Sequence, residues 1–217
     1  LVWRSGRRER AGVSLKRGWR GARDLLRNRR LLVFLALVAM LQIGVSSIYT
    51  FYGIYMTEMG ASSQLIGLAY TFQGLSELPM YLLAGALIAR LGSHRVLPAV
   101  CLFYALRVFL YAAIRQPGGA IWVELMHGLT FSLYLTSAID YVNKQVPAEW
   151  RATGQSLFWA AGSGLGSILG SAWSGFLYDQ MGVRGMFRAN GVLMAVVALG
   201  AALLLHRRTG AEQRARP

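Results

Sequence analysis

Cysteine is almost absent: Cys101 is the only one in 217 residues. One thiol can build neither an internal disulfide framework nor a cysteine-based zinc site. Histidine is nearly as scarce, with His94, His127 and His206 alone. Two of these sit at the edges of apolar stretches, so no metal centre and no cofactor are expected. Acidic residues number nine against 23 Lys and Arg, for a net charge of +14. That surplus would suit a nucleic acid, but its distribution argues against such a partner. Eleven of the basic residues lie in residues 1–30 and four follow Leu205, so they flank apolar segments as juxtamembrane clusters do. A leading methionine is missing, and no signal peptide precedes the first apolar run. The chain is expected to be a piece of a longer protein.

What remains is apolar: 55% of residues are hydrophobic and the mean hydropathy is +0.41. Six long apolar stretches occupy roughly 31–56, 64–90, 95–115, 119–144, 154–178 and 184–206. A membrane-spanning helix needs about 20 residues to cross about 30 Å of hydrocarbon, so the expected class is an all-α membrane protein with a lipid bilayer as its first partner. Short linkers make successive helices antiparallel. With the basic N-terminus inside, nineteen Lys and Arg fall on the inner side and only Arg115, Arg184 and Arg188 on the outer. The positive-inside rule then puts both ends of the segment in the cytoplasm, and the expected location is the cell inner (plasma) membrane. From Ser14, residues 14–30 read either as a basic surface helix with Trp19, Leu25 and Leu26 on one side or as a disordered linker. Residues 207–217 read as a disordered cytoplasmic tail.

The fourth stretch organises the chain. Ile121 to Lys144 is apolar enough to span, yet it carries Glu124, His127 and Asp140. Charge at membrane depth is costly and usually faces a partner or a wet cavity. Glu124 and His127 are three residues apart and share a face. Asp140 falls about 160° round a regular helix from Glu124, near the inner end, where a structural or gating ion pair with a basic residue such as Arg90 or Arg151 is expected. Arg107 lies eight residues from Arg115, and His127 eight from Gly119. Both are therefore about 12 Å deep from the outer side, and Arg107 is expected to reach Glu124 and His127. Glu124-x-x-His127 is also half of a di-iron helix motif, but the second copy and further carboxylates that such a site needs are missing.

Two other stretches carry polar stripes. Gln42, Ser46, Tyr49 and Tyr52 follow three- and four-residue steps in the first, and Tyr70, Gln73, Glu77 and Tyr81 in the second. Gln42, Tyr49, Tyr52, Tyr70, Gln73, Glu77 and Tyr81 are the candidate solute contacts; interhelical hydrogen bonding is the plainer alternative for each of the first stripe. Pro79 should kink the second helix just beyond Glu77. In the fifth stretch Gly162, Gly166, Gly170 and Ser174 form one ladder, with Ser163, Ser167, Ser171 and Gly175 beside it. Such faces let helix backbones approach closely, and packing is the expected role.

The second stretch ends in GALIARLG, Gly85 to Gly92, and the fifth in GFLYDQMG, Gly175 to Gly182. Both fit Gly-x-Leu-x-x-x-x-Gly, ninety residues apart. Two three-helix repeats of opposite topology follow, and inverted repeats are a transporter signature.

GALIARLGSHRVL resembles the loop signature of the major facilitator superfamily, Gly-x-Leu-x-Asp-Arg-x-Gly followed by two basic residues. Gly85, Leu87, Arg90, Gly92, His94 and Arg95 fit it, while Ala89 and Ser93 depart from it. Arg151 to Gly182 resembles the eleventh helix of the lactose-permease-like and phenylpropionate-permease-like branch. The resemblance implies six helices that form half of a twelve-helix fold, with residues 1–30 as the central cytoplasmic loop and 31–206 as the C-terminal transmembrane half. The missing N-terminal half would then be a partner. It also implies that Glu124, His127 and Arg107 couple transport to a proton, because lactose permeases carry such groups on the corresponding helices, with the order of Glu and His reversed here. The lactose permease's charged groups on helices 7 and 11 have no counterpart in this chain.

The expected function is the C-terminal half of a secondary active transporter, a proton-coupled symporter of a small organic solute: a sugar, a nucleoside or an aromatic acid. Glu124 would carry the proton, His127 would orient it or touch solute, and Glu77 would hold solute. The alternative is a non-transporting membrane receptor or assembly protein on the same fold, which would have no reason to keep buried charges. An enzyme would need a nucleophile–base pair or a metal set at a membrane edge, and none is present in the sequence.

Overall fold

The computed structural model describes Leu25 and residues 27–214, with side chains up to Leu205. Of the surface helix or linker considered for residues 14–30, residues 14–24 and 26 lie outside them. Everything described is helix, turn or short connection. Helix α1 is Arg29–Glu58, α2 Ser63–Leu91 and α3 Ser93–Ala113. The next stretch is segmented: α4 Gly119–Glu124, a π turn at Gly128–Ser132, then α5 Leu133–Gln145. A 3-10 turn at Ala148–Trp150 leads into α6 Arg151–Trp159, a second π turn at Ala160–Gly166, and α7 Ser167–Arg214. Among the described residues, four helical stretches are long and apolar enough to cross a membrane: Arg29–Glu58, Ser63–Leu91, Ser93–Ala113 and Ala148–Leu205.

Two features differ from the expectation. The fifth and sixth apolar runs are two helices that meet without a loop, at a sharp break at Gly182, where φ is 67° and ψ 174°; the label α7 covers both sides of the break. The backbone of α7 also stays helical to Arg214, into the stretch expected to be a disordered tail.

The helix ends are chemically defined. The Asn28 side chain accepts from the N–H groups of Arg30 and Leu31, at 3.0 and 3.3 Å, and so caps α1. Its amide also donates to the Gln145 carbonyl at 3.0 Å, tying the start of α1 to the end of α5. Ser62 caps α2 through the Leu65 N–H. Gly92, with φ 79°, closes α2 and opens α3 without a linker. The two glycines that close the repeated octapeptide, Gly92 and Gly182, thus both take the left-handed backbone that a side chain resists.

Helix α7 packs most extensively, against α3 and α1. Gly166 and Gly170 make the α1 contact possible: a Cβ on Gly170 would stand 2.7 Å from the Ile43 backbone, and one on Gly166 2.9 Å from the Ala39 carbonyl. One core cluster joins α1, α3, α4 and α7 around Tyr52, Tyr55, Tyr104, Tyr111 and Phe187. A second gathers Leu31, Phe34, Tyr141, Val142 and Phe158 near the Asn28 end. By contrast α2 buries only Ala69, Ala84 and Ile88, so it is the least covered helix, and its main neighbours are α4 and the first π turn.

Candidate functional site

The site begins with a guanidinium that cannot reach water. Arg107, on α3, is 1% exposed, and Glu124, at the end of α4, is equally sealed. Arg107 Nη2 donates to Glu124 Oε2 at 2.6 Å and to the Tyr111 hydroxyl at 2.9 Å. Tyr111 in turn donates to the other carboxylate oxygen at 2.5 Å. The carboxylate is therefore held by two donors that are one helical turn apart on α3. A buried ion pair stays folded only when such extra hydrogen bonds accompany it.

The second guanidinium nitrogen faces the neighbouring helix. Nη1 donates to His127 Nδ1 at 2.8 Å and to Thr130 Oγ1 at 3.3 Å. Arginine has no acceptor, so His127 Nδ1 must be the unprotonated nitrogen. Nε2 then carries the proton, and it points at Glu77 Oε1, 3.2 Å away on α2. The Gln73 amide nitrogen stands 3.3 Å from the same Nε2. With that ring nitrogen already a donor, the amide fits best with its oxygen turned to the ring. The result is one chain of polar contacts, Tyr111 and Arg107 to Glu124 at one end, His127 in the middle, and Glu77 and Gln73 at the other. Glu124 is closed off, whereas the Glu77 side chain is 24% exposed.

Gly128 is what lets α2 come this close. A Cβ there would stand 1.9 Å from the Ser76 carbonyl oxygen. The Gly128 N–H instead donates to Ser76 Oγ at 2.9 Å, and that hydroxyl donates to the Gln73 carbonyl. The first π turn starts at this contact, and π turns recur at functional sites.

Beside the network lies a cavity of about 400 Å³. Six aromatic residues line it: Tyr49, Tyr104, Phe131, Tyr134, Phe158 and Trp159. Gln42, Ser163 and Ser167 add polar groups, and Gln42 donates to Ser167 at 3.1 Å. Phe131 connects the two regions, since its ring stacks on His127 with centroids 5.1 Å apart.

The residues singled out in the sequence therefore separate. Arg107, Glu124 and His127 come together, with Glu77 and Gln73 joined to them. Gln42 and Tyr49 line the cavity. Tyr52 is buried, edge-on to Tyr70 and Tyr111, and Tyr70 and Tyr81 are exposed on α2 outside the cavity. The loop residues Arg90 and Arg95 are exposed around Gly92, with Gly85 and Leu87 on the last turns of α2. Asp140 pairs with Lys144 at 2.6 Å, one turn along its own helix, and not with Arg90 or Arg151. The serine ladder is not pure packing either: Ser163 and Ser167 face the cavity, while Gly166 and Gly170 pack on α1. Sequence reasoning missed Tyr111, Thr130 and Gly128, and also the aromatic wall. Tyr111 could have been found, because it stands four residues after Arg107 on the same face. Among the described residues no group of His, Cys, Asp and Glu is arranged to hold a metal ion.

Comparison with known proteins gives a consistent picture. Residues 5–189 match the family described as MFS_1 like family. The maltose permease of Geobacillus stearothermophilus is 28% identical over 166 residues, covering 76% of this chain and 42% of that protein. The uncharacterized transporter YwbF of Bacillus subtilis (strain 168) is 22% identical over 204 residues, covering 92% of this chain and 49% of that one. Among solved structures, a single-residue mutant of the nucleoside transporter NupG superimposes with a TM-score of 0.74 at 19% identity, over 84% of this chain and 50% of that one; at that identity the likeness speaks to fold. The chain spans about half the length of the relatives it matches.

Proposed function

From the premise that the chain belongs to the MFS_1 like family, whose relatives here are membrane transporters and not enzymes, we propose that it is the C-terminal half of a proton-coupled symporter for a small organic solute. Six spans in two inverted three-helix repeats suit the geometry. Ala148–Leu205 is 58 residues, about 87 Å if straight, nearly three times the hydrocarbon thickness. Dividing it at Gly182 gives two spans. The α4–π–α5 stretch supplies another, for six in all. Gly92 and Gly182 then end the second helix of each repeat in the same backbone conformation, which favours the repeat reading. The Lys and Arg count supports cytoplasmic ends and an inner-membrane location.

The observation that carries proton coupling is the sealed Arg107–Glu124 pair joined through His127 to Glu77. Removing a charge from either end of such a pair leaves the other unpaired in a dry site. Protonation of Glu124 would therefore release Arg107, and the displacement passes directly to His127, which Arg107 holds by its other nitrogen. His127 touches both Glu77 and the cavity residue Phe131. One proton thus becomes a rearrangement at the cavity wall, and alternating access follows as one half rocks against the other.

The test uses the full-length protein in vesicles. Glu124→Gln should abolish uphill, proton-driven accumulation, while equilibrium exchange of solute persists because the neutral amide imitates the protonated acid. Wild-type accumulation by Glu124→Gln would show that Glu124 is not the proton site and would make Glu77 the next candidate.

A further inference from the structure

We infer that the side of the aromatic cavity built by this chain takes the uncharged part of a solute with a ring face and hydroxyl or amide groups, the chemistry shared by sugars and nucleosides, and offers no seat for an organic anion. The inference rests on the transporter reading and narrows its solute.

Three observations carry it. First, the part of the cavity wall that the described residues supply has no ionised group. Its polar members are Gln42, Ser163, Ser167 and the tyrosine hydroxyls, and none is a cation. A carboxylate brought into an apolar, partly dry cavity without a counter-charge bears a large desolvation penalty. Second, the guanidinium beside the wall is already committed. Arg107 holds Glu124, Tyr111, His127 and Thr130 through its two terminal nitrogens and is 1% exposed. The nearest partly open charge is Glu77, which repels an anion. Third, the wall presents ring faces. Trp159 and Tyr49 are 45% and 50% exposed, and they stand with Phe131 and Tyr134 around a volume of about 400 Å³, within the range of small-molecule sites. Aromatic faces stack on a heteroaromatic base and equally cover the apolar face of a sugar ring. Gln42 and Ser163 supply the directional hydrogen bonds that a hydroxyl or amide needs.

The wall is also built on both irregular turns. Phe131 belongs to the π turn Gly128–Ser132, and Gly162 and Ser163 to the π turn Ala160–Gly166. Two interrupted helices meeting at one cavity suit a ligand site better than a packing fault.

The experiment places a reporter in the wall. In the full-length protein, Ser163→Cys is made in a Cys101→Ser background and labelled with N-ethylmaleimide in membrane vesicles. A panel of saccharides, nucleosides and aromatic carboxylates is then offered as protectants, with uptake of each measured in parallel in the Cys101→Ser parent, which keeps Ser163. Maltose or a nucleoside such as uridine should slow labelling about tenfold at ten times its half-saturating concentration; whichever protects identifies the source of the ring. 3-Phenylpropionate should neither protect nor be taken up. Trp159→Ala should raise KM for the transported solute roughly tenfold through lost stacking and leave kcat within about twofold. An unchanged labelling rate without solute shows that the variants are folded. Protection by the carboxylates alone would overturn the inference and leave the transporter reading standing. Uptake of a neutral solute without any protection of Ser163→Cys would overturn the assignment of the cavity. No uptake of any panel member would remove the transporter reading and this inference with it.

Discussion

Glu124 and Gly128 lie four residues apart and illustrate two ways in which a single side chain controls this site. Glu124 acts by its charge, while Gly128 acts by having nothing beyond Cα. Gly128→Ala would set a carbon 1.9 Å from the Ser76 carbonyl oxygen, a backbone atom that cannot swing aside. The clash should cost about 3 kcal/mol or more unless α2 moves away and takes Glu77 from His127. Lower thermal stability, or loss of transport with normal insertion, is the expected outcome; wild-type values of both would show that α2 does not pack here. Asp140 is the opposite case. Its pair with Lys144 is open to water, with Lys144 exposed and Asp140 half-buried, and such i,i+4 pairs contribute roughly 0.3–0.5 kcal/mol. Asp140→Asn should leave both stability and proton-driven accumulation near normal, and a loss of coupling with normal exchange would contradict its assignment as a local surface pair. Both outcomes bear on what a sequence reveals. Glu124, His127 and Arg107 were legible because an ionisable group in an apolar run is conspicuous. Gly128 was not, because a glycine in a glycine-rich membrane helix is ordinary until the opposing backbone is in view. Tyr52 was placed on a solute-facing stripe by spacing alone, and spacing does not reveal that Tyr70 on α2 and Tyr111 on α3 pack against it.

At the scale of the elements, the two π turns explain most of what periodicity missed. The angle expected between Glu124 and Asp140 assumes an unbroken 100° step per residue. The π turn at Gly128–Ser132 lies between them and adds a residue to one turn, so every position beyond it changes phase. The turn at Ala160–Gly166 acts in the same way on the small-residue ladders. The glycines remain against α1 while Ser163 and Ser167 open to the cavity. Gly170 marks the closest α1–α7 contact, with the Ile43 backbone and Ser46 Oγ both 2.7 Å from a would-be Cβ. Gly170→Val should therefore force the two helices apart, cutting the yield of folded protein, whereas Gly175→Ala should be tolerated because its nearest neighbour, the Phe51 ring, is 3.9 Å away. Comparable folded yields for the two variants in detergent would show that the helix contact is looser than described. Hydropathy registers length well for the first three helices, Arg29–Glu58, Ser63–Leu91 and Ser93–Ala113. The lack of a loop at Gly182 was not legible, because Asp179, Arg184 and Arg188 between two apolar runs read as a connecting loop, whereas one glycine with φ 67° makes the break.

At the scale of the molecule, the exposed side of α2 carries the argument. Tyr70 and Tyr81 are 48% and 41% exposed, and Glu77 is partly open beside them. A helix that met only lipid there would turn a partly open carboxylate, held on its protein side by His127, toward hydrocarbon, which costs up to several kcal/mol on insertion scales. The surface is explained if a second set of six helices covers it and completes the cavity wall, as the proposed half-transporter reading requires. Orientation can be examined on the same protein. In a Cys101→Ser background, Ser63→Cys and Gly118→Cys are exposed and should label from outside intact cells, and Ala89→Cys, also exposed, only after permeabilisation; labelling of Ala89→Cys in intact cells would reverse the topology. Function follows the same logic. The 217-residue chain expressed alone should insert and label in this pattern but show no uphill uptake, because alternating access needs two halves that rock against one another. Co-expression with the upstream half of the full-length protein should restore uptake, and Glu124→Gln should abolish it again. Accumulation by the chain alone, with no dependence on a co-expressed partner, would mean that the exposed face of α2 is closed in some other way, and the half-transporter reading would fall.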